Sequence, residues 1–250
     1  MGSRVETGPP AAPGGSVRYF LLLYTPRAQR QSLATLLAVA DELDAGLARR
    51  LDHEVAHVRL NWWQQEAERS ARGAPQHPWL LGLAERERAS LQLAELVQAA
   101  GVDLARAFLG GAGEERLAQA RFASAAELLT GRALTAEERA QLERLGQWTK
   151  QLERFAAAPP ANDATPPRTA LPPVGSAHIA AALQPALTPL LVWTALIVRH
   201  ARRHARRTSG ARAARSQTMQ ASRFDAFVDN FVAWQAARRA ARGQFRIPAP

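Results

Sequence analysis

A chain of 250 residues with 6% aromatic content is long enough to bury a full core, and its Ala-, Leu-, Arg- and Glu-rich composition favours helix over strand. The absence of cysteine excludes disulfides, thiol catalysis and thiolate metal sites. The net charge of +10 is unevenly placed: residues 1–198 carry 20 basic and 20 acidic residues, whereas 199–250 carry 12 Arg against Asp225 and Asp229.

The Gly/Pro/Ala-rich residues 1–16 predict a disordered leader without the apolar run of a secretory signal. Helix is expected from Tyr19 and strongly after Thr25-Pro26, where Thr caps and Pro suits the first turn. Leu33, Leu36, Leu37, Ala40, Leu43 and Leu47 then share one helical face. Asp52 is positioned to cap a second helix to about residue 72, stopped by Gly73 and Pro75. Further helices are expected from His77-Pro78, over 90–99, over 116–129, and from a Thr135/Glu138 capping box to about residue 156. The Pro-rich stretch 157–175 reads as a loop. Helix resumes over 177–205, a basic linker covers 208–216, and a last helix spans 223–242. Nothing in the pattern demands a strand.

Three segments carry the text Leu33-Ala-Thr-Leu-Leu-Ala-Val-Ala-Asp-Glu-Leu43, then Val58-Arg-Leu-Asn-Trp-Trp-Gln-Gln-Glu66, then Gly73 and His77-Pro78. In this order they resemble the squalene/phytoene synthases, and softer matches at Leu145-Gly146 and Leu171-Pro172 resemble the short bacterial and mitochondrial assembly-factor relatives of that family. The resemblance implies an all-α, isoprenoid-synthase-like helical bundle around a central apolar cavity. The domain so described covers 17–207, with 157–175 as its loop and 208–250 as a basic C-terminal segment with a terminal helix.

In that family two Asp-rich motifs hold Mg²⁺ and the substrate diphosphates, because a hard cation needs several convergent carboxylate oxygens. The alignment places the first motif on Asp44 and Ala48, with Asp41 one turn earlier as a second donor. The second motif falls on Ala157 and Ala161, neither of them a carboxylate. The resemblance therefore implies a catalytically degenerate member that binds an isoprenoid or other apolar ligand, or a partner protein, as an assembly factor would. If the chain is instead an active Mg²⁺-dependent prenyl transferase, Asp41 and Asp44 would hold the metal, and Arg30 or Arg59 would contact phosphate oxygens. Trp62 and Trp63 either line the apolar cavity or pack as ordinary core, since adjacent helical residues point about 100° apart.

Three other features ask for weighing. His53-Glu54-Val55-Ala56-His57 spells the letters of a zinc-protease helix, but no third ligand stands at a suitable spacing. Residues 179–198 carry no formal charge and are followed by a basic run, the pattern of a membrane span. Gln184, Pro185 and Pro189 interrupt it and favour a buried helix, leaving a membrane-anchored protein as the second alternative. The run of residues 199–215, beginning on Arg199 and ending on Arg215, suits an anionic membrane surface. It lacks the aromatic interleaving of single-strand binders, so nucleic acid is not the expected partner. The expected location is cytoplasmic, peripheral at the inner membrane.

Overall fold

A computed structural model of the chain describes residues 8–48, 53–110, 115–157, 179–209 and 218–247. These residues are helices, turns and coil, with no strand among them, so the fold is all-α. The helices are α1 (Val17–Leu23), α2 (Arg30–Ala48), α3 (His53–Ala71), α4 (Pro78–Leu81), α5 (Glu85–Ala89), α6 (Leu93–Phe108), α7 (Arg116–Thr130), α8 (Ala136–Ala157), α9 (Thr188–Ser209) and α10 (Thr218–Ala241). They form two compact units, one of Met1–Ala11 with Pro26–Arg139 and one of Ala12–Thr25 with Ala140–Pro250. The segment 17–207 is thus shared between both units.

The first unit is built on α2. Its residues 35–40 are buried in succession, Leu33, Leu36 and Val39 completely, because α3, α6 and α7 all pack against it. Small buried residues on α7, among them Ala118, Ala123 and Ala126, let its neighbours α2 and α6 approach closely. Gly101 on α6 lies so near Leu60 of α3 that an added Cβ would stand 3.3 Å from it. The N-terminus of α7 is capped from a distance, as the Arg116 and Leu117 N–H groups donate to the two carboxylate oxygens of Asp103 at 3.0 and 2.9 Å. At its other end Gln29 donates to the Leu128 carbonyl at 3.0 Å, and Gly131 turns the chain at φ +67°.

The expected start of α8 is present, with the Glu138 N–H donating to Thr135 and the Thr135 N–H to Glu138. The break after α3 is present too, Gly73 taking φ +79°. Other boundaries differ. The stretch after His77-Pro78 is two short helices, α4 and α5, and the helix expected over 90–99 runs instead over Leu93–Phe108 behind a left-handed Gln92. The Asp52 cap, the leader residues 1–7, the loop 158–178 and the linker residues 210–217 lie outside the described residues.

In the second unit α9 packs on α1 and α10. The helix expected over 177–205 begins only at Thr188: Pro185 lacks an N–H and residues 181–187 take turn geometry, whereas Pro189 fits the first turn of α9, where no N–H bond is needed. The buried Gln184 side chain pins these turns, donating to the carbonyls of Ile179 and Phe245 at 3.0 and 3.1 Å and accepting from the Phe245 N–H at 2.7 Å. Gly243, at φ +65°, sits so close that an added Cβ would lie 2.9 Å from the Ala181 carbonyl oxygen.

Residues 179–198 do not form the membrane span of the second alternative. Their first part is turns, Leu190 to Val198 is buried in this unit, and no helix among the described residues is long and apolar enough to cross a membrane.

Candidate functional site: an arginine-lined groove

The residues singled out by the family resemblance lie on α2 and α3 of the first unit. Arg30 is exposed at the start of α2. Arg59 pairs with Glu42 at 3.0 Å, bridging α3 to α2. Asp41, on the same turn, has its carboxylate 3.6 Å from the guanidinium of Arg121, a buried residue of α7. Asp44 is half-buried on α2.

A guanidinium beside Asp41 answers the charge that Mg²⁺ would need, and no group of three or more His, Asp or Glu side chains able to hold a metal occurs among the described residues. The crevice beside Arg59 and Trp63 holds about 20 Å³, room for about one water. The His53 side chain lies outside the described residues, and His57 is exposed.

The Trp-Trp string has a clear structural role. Trp63 is buried and Trp62 is 39% exposed. Their rings stand 5.0 and 5.8 Å from the His77 ring, which in turn lies 4.6 Å from Trp79. Three residues beyond, the fully buried Glu66 accepts the Gln76 and His77 N–H groups, each at 2.7 Å, and pairs with Arg69 at 2.8 Å. Glu66 thus closes the loop after α3 and fixes His77. The His77 Nδ1 caps α4 by accepting from the Trp79 N–H at 3.2 Å, a role open only to the neutral ring. Burial pushes the His77 pKa below its usual 6.5, partly opposed by the charges of Glu42 and Glu66.

The largest departure from charge balance lies in the second unit. On α9, Arg199, Arg202, Arg203 and Arg206 fall at i, i+3, i+4 and i+7 and share a face. This face meets α10 across a groove of about 570 Å³. Arg239 of α10 and Arg246 beyond it add two further cations to the walls, while Val198, Val228, Val232 and Phe245 supply an apolar floor. Six guanidinium groups therefore line the groove with one carboxylate, Asp225.

Asp225 and Asp229, one turn apart on α10, hold the helix pair together. Arg203 reaches Asp225 at 2.8 Å, Arg199 bridges Asp225 and Asp229 at 3.5 and 3.0 Å, and His200 meets Asp229 at 3.2 Å. Burial works to raise the Asp225 pKa, but the hydrogen bonds and charges of Arg203 and Arg199 outweigh it and hold it below the usual 3.8. Arg206, Arg239 and Arg246 have no carboxylate partner among the described residues. Planar guanidinium groups over an apolar floor can take a phosphate or carboxylate head joined to an apolar body.

The basic run was legible in the sequence from Arg199 onward; Arg239 and Arg246 were not, because only the return of α10 and the Gln184 clasp on Phe245 bring them to the same groove. The side chains of residues 207–215 lie outside the described residues. No protein-family model, curated protein or solved structure matches the chain.

Proposed function

We propose that the chain is a catalytically degenerate squalene/phytoene synthase-like protein that binds an anionic amphiphile in the groove between α9 and α10. The observation that carries the binding role is the convergence of six arginines on an apolar floor with a single carboxylate among them. Guanidinium pairs recognise oxyanions bidentately, and the valines with Phe245 offer contact to an alkyl or isoprenoid chain. Support for degeneracy comes from the first unit, where Asp41 faces Arg121 and the crevice beside Trp63 is about one water in size. A protein that only binds and presents such a ligand needs no metal cluster. The cytoplasmic location expected from the sequence suits that role.

Calorimetric titration with dodecyl phosphate, dodecanol and inorganic phosphate tests the binding role. Dodecyl phosphate is expected to bind at least about tenfold more tightly than either half-ligand, because head and tail are both recognised. Equal affinity for all three would remove the amphiphile reading. The competing reading, an active prenyl transferase, is tested by incubation with prenyl diphosphates and Mg²⁺. Turnover abolished by Asp44→Ala would overturn the proposal of degeneracy.

A further inference from the structure

The groove uses one side of α10, and an adjoining side has its own composition. At 100° per residue Phe227, Phe231, Trp234 and Arg238 fall within roughly a 60° arc, with Arg242 at its edge. The buried Asp229, Ala233, Ala236, Ala237 and Ala240 fall on the other side, toward α9. The three aromatics are turned to solvent, Phe227 at 68% exposure and Phe231 and Trp234 at 48% each. Phe231 and Trp234 are stacked at 5.9 Å, and the Arg238 guanidinium lies 5.3 Å over the Trp234 ring. Three large aromatics in one exposed stripe are not an ordinary solvent face.

We infer that this outer stripe of α10 is a docking face for an anionic lipid surface, on which the helix lies with its aromatics at the headgroup boundary. Charge decides the occupant. Arg238 and Arg242 flank the stripe, and the nearest acids, Asp225 and Asp229, are engaged by α9 on the opposite side. The whole net charge of +10 belongs to residues 199–250. Exposed aromatic side chains beside arginines suit a headgroup boundary, with Trp at the headgroup level and Arg toward phosphates. Since no helix among the described residues is long and apolar enough to cross a membrane, the contact is peripheral. The aromatic stripe stands independently of the groove, and each can be disabled without the other.

The test is sedimentation of the full chain with phosphatidylcholine vesicles, with and without about one-third phosphatidylserine. The chain is expected to follow the anionic vesicles only, and Phe231→Asp or Phe227→Asp to weaken that binding at least about tenfold. Phe227, the most exposed of the three, provides the variant with least effect on packing, and circular dichroism checks that helix is retained. The groove variant Arg246→Ala keeps the aromatic stripe and removes one of the 12 arginines of residues 199–250, so its vesicle binding is expected to fall by no more than about fivefold, less than either aspartate variant.

Because the chain has no cysteine, a Phe231→Cys variant carries a single environment-sensitive dye, with Val58→Cys on α3 as the exposed control. The dye at 231 is expected to shift to the blue on anionic vesicles, and the dye at 58 not to shift. The inference is overturned if the chain ignores anionic vesicles or if both aspartate variants bind like the wild type. It is equally overturned if the dye at 231 shifts without lipid as protein concentration rises, which would make the stripe an interface between copies of the chain.

Discussion

The two units handle arginine differently. In the first, Arg59, Arg69, Arg121, Arg132 and Arg139 each pair with a carboxylate, and several of these pairs tie separate helices together. An open cleft of about 650 Å³ in that unit is lined by Arg86 and Arg132 with Glu87 and Glu127, an even balance. In the second, a groove of about 570 Å³ is lined by six arginines and Asp225 alone. The volumes are similar and the charge balance differs, even in the first cleft and six cations to one acid in the second. The unit bearing the recognisable motif uses its polar residues to hold itself together. The unit without it has cations to spare.

The strongest way to break this contrast is at Glu66. Its removal in Glu66→Ala strands the Gln76 and His77 N–H groups and the Arg69 charge, and a loss of about 3 kcal/mol in stability by denaturant unfolding is expected. Little change would mean that the motif is not a structural clasp. Next is Gln184→Ala, which frees the Phe245 backbone and leaves buried polar groups unmet, a loss of about 2 kcal/mol. That variant is also expected to weaken dodecyl phosphate binding, because Phe245 and Arg246 would no longer be held in the groove.

Acid separates the units more gently. The folded pKa of His77 lies below 6.5, so its contribution is full above that pH and is lost as pH falls through the folded value. Asp225, held below 3.8, keeps its ion pairs until far lower pH. Hydrogen exchange followed as pH falls below 6.5 is expected to show the α4 turn losing protection before the α9–α10 pairing does; the reverse order would contradict the assigned roles.

How much of this was legible in the sequence follows from which forces are local. The α7 and α8 spans, the Gly73 stop and the Thr135/Glu138 cap were all readable, because each depends on residues within a turn or two. The Asp103 cap on α7 and the Gln29 cap on its far end join residues distant in sequence and leave no local signature. Over residues 181–187 the apolar run suggested helix, yet the missing N–H of Pro185 and the Gln184 clasp prevailed. For the site, Arg59, Trp62, Trp63, Asp41 and Asp44 were identifiable as a group, but their ion pairs and ring contacts depend on partners that no motif names. Arg239 and Arg246 became site residues only through tertiary placement.

The most direct test compares the two units in one titration. Dodecyl phosphate affinity is measured by calorimetry on the wild type, on an Arg239→Glu/Arg246→Glu double variant, and on Asp44→Asn. The groove variant is expected to lose at least about tenfold in affinity, as removal and reversal of two charge-assisted contacts requires, while Asp44→Asn binds as the wild type does. An unchanged groove variant, or a loss confined to Asp44→Asn, would place the working site in the motif-bearing unit and contradict this account.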